Sequence, residues 1–96
     1  APGQSKLHYS PGIPIKLNTR KSKPNEAFIL IKKRKKSYKN YYYLSKNKNL
    51  KQAAKNLYKI LRLIKNKNYK SIAVEKIPKI GFGEAINDRL KKASGK

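Results

Sequence analysis

The sequence contains no cysteine, methionine or tryptophan, and its 96 residues include only one histidine and four acidic side chains. Without cysteine the chain can form neither disulfides nor thiolate zinc sites, and a reducing compartment is compatible with its composition. With His8 as the single histidine and the acids scattered, neither a metal cluster nor a Ser/His/Asp triad can be assembled at a convincing spacing. The residues therefore indicate no catalytic or metal site.

Long apolar segments are also missing. The longest uninterrupted run, residues 27–31 (AFILI), is far too short to cross a bilayer, and no signal peptide is present. We therefore expect no membrane partner and a cytoplasmic location. The length allows one small domain, and the complete lack of methionine indicates a piece of a longer protein.

Positive charge is what the sequence has in excess, with a formal net charge of +22 at pH 7. Lys, Asn, Ile, Tyr and Phe together make up 50 of the 96 residues, and all five have A/T-rich codons. The 22 Lys against 4 Arg favour this compositional explanation, because arginine is preferred for bidentate recognition of phosphates and bases. Whatever its cause, such a charge attracts phosphate polymers strongly at low salt and weakly at high salt.

One basic segment has two open interpretations. Residues 32–43 (KKRKKSYKNYYY) interleave cations with aromatic rings, as single-strand nucleic-acid binders do. Tyrosines in a strand are equally good packing groups, and lysines in a loop are usually only solvated. The segment therefore leaves both RNA contact and simple packing open.

The apolar pattern predicts an α/β domain that follows an extended arm. The arm, residues 1–13, is rich in Pro and Gly and shows no periodicity. Alternation and buried apolar runs predict strands at 15–19, 27–31, 41–44 and 71–77, separated in part by a polar turn at 20–25 and a basic loop at 32–40.

Two helices are predicted between and after these strands. Apolar residues three and four apart indicate a helix from about residue 50 to residue 65, capped by Ser45, Asn47 or Asn49. A last helix is predicted from residue 84 to about 93. The order strand, helix, strand, helix indicates at least one parallel crossover.

The block 81–90 (GFGEAINDRL) contains no lysine, although lysine is frequent on both sides of it. Its two glycines lack the third glycine and the Lys-Ser/Thr of phosphate-binding loops, so they are interpreted as a tight strand-to-helix turn with close backbone approach. Glu84 suits the positive end of the helix dipole, and Asp88 can pair with Lys91 or Lys92.

Taken together, the two ends of the chain resemble a known family. APG at residues 1–3 followed by HYSP at 8–11 closely resembles the interdomain linker of bacterial and archaeal threonylcarbamoyl-AMP synthases. GFGEAINDRLKKA at 81–93 is similar to the closing pattern of that family, which has Gly-Leu-Gly, Ala-Ile, Asp-Arg-Leu and Ala. Between them PIKLN, AAKNLY and IAVE, at 14–18, 53–58 and 72–75, fall in the right order.

The resemblance implies that residues 14–96 are the C-terminal accessory domain, a small Rossmann-like α/β unit of two or three layers. Its sheet would be mostly parallel, with about four strands and two main helices, and residues 1–13 would be the interdomain linker. The catalytic YrdC-like domain, absent from this sequence, makes threonylcarbamoyl-adenylate from L-threonine, bicarbonate and ATP for tRNA modification. ATP and a divalent metal such as magnesium would bind there, so the fragment alone would hold no cofactor and be inactive.

In this family the linker is thought to lie over the catalytic cleft. The resemblance therefore implies that His8 and Tyr9 reach the cleft by stacking or hydrogen bonding, while Pro2, Gly3 and Pro11 set the course of the arm.

At the other end of the chain, Gly81, Gly83, Asp88 and Arg89 form a structural signature. We expect Asp88 and Arg89 to tie the last helix to neighbouring backbone or to the catalytic domain. The expected partner is that catalytic domain, with a possible weak contact to tRNA. A stand-alone basic RNA-binding module is the alternative function.

Overall fold

The computed structural model describes residues 13–47 and 49–94. In chain order the elements are β1 (Ile15–Thr19), β2 (Glu26–Leu30), β3 (Tyr41–Tyr43), α1 (Leu50–Lys65), β4 (Ser71–Glu75) and α2 (Phe82–Ala93). The strands form one sheet in the order β1-β4-β2-β3, and every neighbouring pair is parallel. The predicted α/β fold, with a parallel four-stranded sheet and two helices, is confirmed.

The two central strands are buried on both faces. All five residues of β2 are buried, as are the three middle residues of β4. This explains why their sequences are almost continuously apolar, since a parallel strand with both faces covered has no solvated side. The edge strand β1 alternates instead, with Ile15 buried and Lys16 exposed.

Both helices lie on the same face of the sheet. The buried stripe of α1 (Ala53, Leu57, Leu61 and Ile64) recurs at helical spacing, and α2 contributes Ile86, Leu90 and Ala93. These residues form one core with the side chains that point to this face from the strands, namely Ile15, Ala27, Ile29, Ile72 and Val74. Sheet and helices therefore make a two-layer core.

The opposite face of the sheet has a smaller apolar cluster. Phe28, Leu30 and Ala73 are fully buried there, and Tyr41 and Tyr43 of the edge strand β3 pack against them. Phe28 and Tyr41 meet edge to face, with ring centroids 5.3 Å apart, a favourable aromatic geometry. Tyr41 and Tyr43 thus act as packing groups on this face, whereas Tyr42 packs against the core on the face of the helices.

The strand β1 is irregular at its carboxyl end. The register of its pairing with β4 shifts between Lys16 and Thr19, and Asn18 in this interval has a positive φ of 56°. Asparagine is one of the few residues that adopt this conformation readily. The hydroxyl of Thr19 then donates to the carbonyl of Val74 at 2.9 Å, so the end of β1 remains attached to β4.

Five element boundaries differ from the predicted ones. The strand β2 lies one residue earlier at both ends, at Glu26–Leu30, the strand β3 ends at Tyr43 rather than at residue 44, and β4 ends at Glu75 rather than at residue 77. The helix α2 begins at Phe82, two residues before the predicted start, because the chain reverses at Gly81. Of the three candidate caps of α1, Asn49 accepts the backbone N–H of Gln52 at 3.0 Å.

Candidate functional site

The residues of the predicted substrate-covering arm lie outside the described part of the chain. They are Pro2, Gly3, His8, Tyr9 and Pro11. Their role stays a prediction from the family resemblance.

The described structure begins where this arm is expected to end. Ile13 packs against the core, and the carbonyl of Pro14 accepts the backbone N–H of Ile72 at 2.8 Å. The chain therefore enters the domain at the amino-terminal edge of the sheet, beside the first residues of β4.

The two glycines of the signature have different roles in the turn before α2. Gly81 directly precedes the helix with φ 52° and ψ −129°, a backbone conformation that side chains with a Cβ rarely adopt. Gly83 is buried, and a Cβ at this position would overlap the carbonyl oxygen of Pro78. One glycine permits the reversal of the chain, and the other permits the close approach of the helix to the preceding loop.

The polar residues of α2 make local contacts. Asp88 forms an ion pair with Lys92 of the same helix at 3.2 Å, and both side chains are largely exposed. The Arg89 guanidinium lies 5.7 Å from the ring centroid of Tyr58, so it joins α2 to α1. Sequence reasoning did not single out Asn87, whose amide donates to the carbonyls of Ile77 and Gly83 and binds the helix to the loop after β4.

A polar cluster lies at the carboxyl ends of the two central strands. Glu75 ends β4, and one of its carboxylate oxygens accepts the backbone N–H of Ile31, the residue just after β2, at 3.2 Å. Its other oxygen accepts from the guanidinium of Arg34 at 3.0 Å. The Glu75 side chain therefore continues the connection between these strands beyond the last ladder bond.

Arg34 is held on three sides. Besides Glu75, it donates to the carbonyl of Arg20 after β1 at 3.4 Å, and its guanidinium lies 5.1 Å from the ring centroid of Phe28. Phe28 belongs to the face opposite the helices, so the basic loop (residues 32–40) starts by folding over that face. Arg34 thus fastens the carboxyl ends of β1, β2 and β4 together.

A cavity of about 360 Å³ opens at this position, and we call it the carboxyl-edge crevice. It is lined by Ile31, Lys32, Lys33, Arg34, Glu75, Lys76 and Pro78. The three lysines are exposed, and none of them forms an ion pair within residues 13–47 and 49–94. Since Arg34 neutralises the only carboxylate, the crevice has a net positive charge.

Sequence analysis missed this crevice because Glu75 was placed inside a longer predicted strand. A signal was nevertheless present. The apolar run 27–31 is followed by cations, and in the predicted strand 71–77 the apolar residues 72–74 are followed by Glu75 and Lys76. Because parallel strands end at the same edge of a sheet, these charged residues had to converge once the two strands became neighbours.

A second cavity, of about 500 Å³, lies near the amino-terminal ends of β2 and β3, and we call it the Tyr38 pocket. Its lining residues are Ser22, Lys23, Pro24, Tyr38, Lys39, Asn40 and Tyr41. Tyr38 is 58% exposed, and its ring centroid lies 5.2 Å from that of Tyr41. The amide of Asn40 donates to Ser22 and to the carbonyl of Glu26, which holds the walls of the pocket together.

Glu26 has a structural position at the amino-terminal edge of the sheet. It is only 3% exposed, and it accepts from the Ser71 hydroxyl at 2.6 Å and from the backbone N–H of Lys23 at 2.9 Å. The ammonium group of Lys16 lies 2.9 Å away. The hydrogen bonds from Ser71 and Lys23, with the charge of Lys16, lower the pKa of Glu26 to about 2 despite its burial.

The described residues form neither a metal-binding cluster of side chains nor a membrane-spanning helix. Within residues 13–47 and 49–94, no group of three His, Cys, Asp or Glu side chains is placed to hold a metal ion. In the same part of the chain, no helix has the length and apolar character needed to cross a membrane.

Comparison with known proteins gives one family match. The model of the family described as "Threonylcarbamoyl-AMP synthase, C-terminal domain" matches residues 1–95, almost the entire chain. No curated protein and no solved structure matches the chain. The match includes both the arm and the closing helix.

Proposed function

Because the chain belongs to the family of threonylcarbamoyl-AMP synthase C-terminal domains, we propose that it is the accessory domain of such a synthase and that its arm covers the catalytic cleft. The parent enzyme makes threonylcarbamoyl-adenylate from L-threonine, bicarbonate and ATP for modification of tRNA, a nucleotidyl transfer. ATP and a divalent metal ion bind in the catalytic domain, which is the partner of this chain. The parent enzyme acts in the cytoplasm.

The observation that supports this proposal most directly is the extent of the family match, which runs through the arm as well as the α/β domain. The described structure is compatible with an accessory role. Three of its four acids, Glu26, Glu75 and Asp88, each pair with a cation of the same domain.

Covering the cleft has a clear physical purpose. A carbamoyl-adenylate is readily hydrolysed, so a segment that excludes water protects it and also strengthens the electrostatic interactions inside the site. In this proposal His8 and Tyr9 make the contacts through ring stacking or hydrogen bonds. Pro2 and Pro11 restrict the backbone of the arm, which lowers the entropy lost when it closes, and Gly3 permits a turn in its course.

The test is kinetic and uses the full-length protein, with its catalytic domain. We expect His8→Ala combined with Tyr9→Ala to lower the rate at which threonylcarbamoyl-adenylate accumulates by roughly tenfold or more, because the intermediate is less protected from water. The assay measures adenylate and pyrophosphate separately, since an uncovered site releases pyrophosphate without accumulating adenylate.

The matched control for this test is Lys51→Ala combined with Lys55→Ala, on the exposed side of α1. This variant should retain the wild-type rate. Wild-type kinetics for the arm variant would rule out the covering role of the arm.

RNA binding is a second candidate function, and one observation favours it. Tyr38 presents an exposed ring beside Lys23 and Lys39 in the Tyr38 pocket. An exposed aromatic ring with adjacent cations can stack on a base and contact its phosphate. As a proposal, this would give the accessory domain a weak contact to tRNA, or make the chain an RNA-binding module in its own right.

A further inference from the structure

We propose that the carboxyl-edge crevice binds a small anion with two or more linked phosphates, either inorganic pyrophosphate or a nucleoside polyphosphate. The proposal uses none of the arm residues and does not depend on the proposed function. Three features support anion binding, namely the topology of the sheet, the charge of the crevice and the fixed position of its walls.

The topology places the crevice where the connections of two neighbouring strands diverge. After β2 the chain turns to the face that carries Phe28, because Arg34 lies over that ring. After β4 the chain turns to the other face, where α2 packs beside α1. In open parallel sheets, such a divergence opens a crevice outside the carboxyl ends of the strands, and ligands bind preferentially there.

The charge of the crevice specifies an anion. Lys32 and Lys33 approach from the β2 side and Lys76 from the β4 side, and the one carboxylate, Glu75, is engaged by Arg34 and the Ile31 N–H. Three lysines match two or more phosphates better than a single carboxylate or chloride. Lysine serves as a point charge toward phosphate, and it requires no bidentate geometry.

The size and the walls of the crevice also suit such a ligand. Its volume of about 360 Å³ falls in the range of small-molecule sites and is too small for a folded macromolecule. Ile31 and Pro78 provide apolar surface beside the lysines. This surface could contact the sugar or base of a nucleotide, whereas pyrophosphate would use the cations alone.

The Arg34–Glu75 pair distinguishes this crevice from other lysine-rich surface of the domain. It ties Arg20, Ile31 and the end of β4 together, so the backbone that carries the three lysines is already positioned. A site that is organised before binding loses less entropy when the ligand arrives. Exposed lysines along α1 have the same charge without such an arrangement.

The test compares two variants that lose the same charge. The first is Lys32→Gln, Lys33→Gln and Lys76→Gln in the crevice. The control is Lys51→Gln, Lys55→Gln and Lys59→Gln on the exposed side of α1. Calorimetric titration of the 96-residue chain with pyrophosphate, ATP and inorganic phosphate at about 150 mM salt measures affinity with surface attraction screened.

We expect saturable binding of pyrophosphate or ATP by the wild type, weaker binding of single phosphate, and roughly tenfold or greater loss of affinity in the crevice variant only. Tighter binding of ATP than of pyrophosphate would identify a nucleotide, and the reverse would identify the diphosphate alone. An equal loss in both variants, or no saturable binding, would overturn the proposal.

Amide chemical shifts of the wild type provide a second measurement that does not depend on the variants folding. Titration with pyrophosphate should selectively shift the backbone amides of residues 31–34, 75–77 and 79. Shifts spread evenly over the lysines of the domain would also overturn the proposal. Circular dichroism of each variant checks that the domain remains folded.

Discussion

At the scale of single residues, Glu26 is the only buried one among the four acids, all of which lie within the described residues 13–47 and 49–94. It pairs with Lys16 of β1, Ser71 of β4 and the turn before β2, so one carboxylate joins three strands at their amino-terminal ends. In a protein with so few acids, this single group should dominate the response of stability to acid.

The stability of the domain should depend on pH through the Glu26 carboxylate. The pKa of Glu26 in the folded protein is about 2, below its ordinary value of 4.5, because Ser71 and Lys23 donate hydrogen bonds to the carboxylate. Its contribution to stability is therefore complete above pH 4.5 and is lost as the pH falls toward 2. We expect a loss of about 3 kcal/mol over this interval, measured by urea unfolding at constant ionic strength.

Two variants test this assignment. Glu26→Gln should be less stable than the wild type at pH 7 and should lose most of the acid-dependent decrease. Glu84→Gln removes an exposed acid at the start of α2 and should retain that decrease. If both variants lose it equally, Glu26 is not the group responsible.

At the scale of elements, the close approach at Gly83 determines how α2 sits on the loop after β4. In Gly83→Ala the new Cβ overlaps the Pro78 carbonyl, and a backbone atom cannot move aside as a flexible side chain can. We expect a cost of about 2 kcal/mol, seen as a decrease in Tm of roughly 10 °C in thermal unfolding.

The control for this turn is Lys79→Ala, at an exposed position in the same loop. It should change stability by less than about 0.5 kcal/mol. A wild-type Tm for Gly83→Ala would mean that the helix can move away from Pro78 at little cost.

The elements themselves were largely predictable from the sequence because each has a local signal. The buried run AFILI and the helical spacing of Ala53, Leu57 and Leu61 depend on neighbours along the chain. The boundaries were less accurate at α2, where the conformation of Gly81 starts the helix earlier. Strand order was not predictable, because pairing of Ile15 with Ile72 is a contact between distant residues.

The candidate sites likewise differ in whether a signal in the sequence or a contact between distant residues reveals them. The arm residues His8 and Tyr9 were selected by resemblance to a family, since an isolated histidine and tyrosine contain no local signal of function. The crevice required knowledge that β2 and β4 are neighbours, because Arg34 and Glu75 are 41 residues apart. A salt bridge of this kind depends on the topology, so the charged residues after the strands predict it only when the order of the strands is known.

At the scale of the whole molecule, the net charge of +22 governs encounters with polyanions. We expect the chain to bind tRNA and unrelated RNAs alike at about 50 mM salt, and to lose roughly a thousandfold or more in affinity by about 200 mM, because binding releases counterions. Fluorescence anisotropy with labelled tRNA and a labelled unrelated RNA measures this dependence.

A specific RNA site would behave differently. Selective tRNA binding that survives at about 150 mM salt and weakens in Tyr38→Ala would contradict the charge-only prediction and support the Tyr38 pocket. Tyr58→Ala is unsuitable as a control because that ring contacts Arg89, so Lys67→Ala, at an exposed position after α1, is the better comparison.

The strand order also determines when the domain can fold during synthesis. Among the described strands, β1 has only β4 as a neighbour, and β4 is the last strand to leave the ribosome. Before β4 has been synthesised, β1 has no partner among the described strands, and β2 lacks one of its two neighbouring strands. Folding must therefore wait for contacts across more than half the chain, which slows it and lengthens the exposure of AFILI to aggregation.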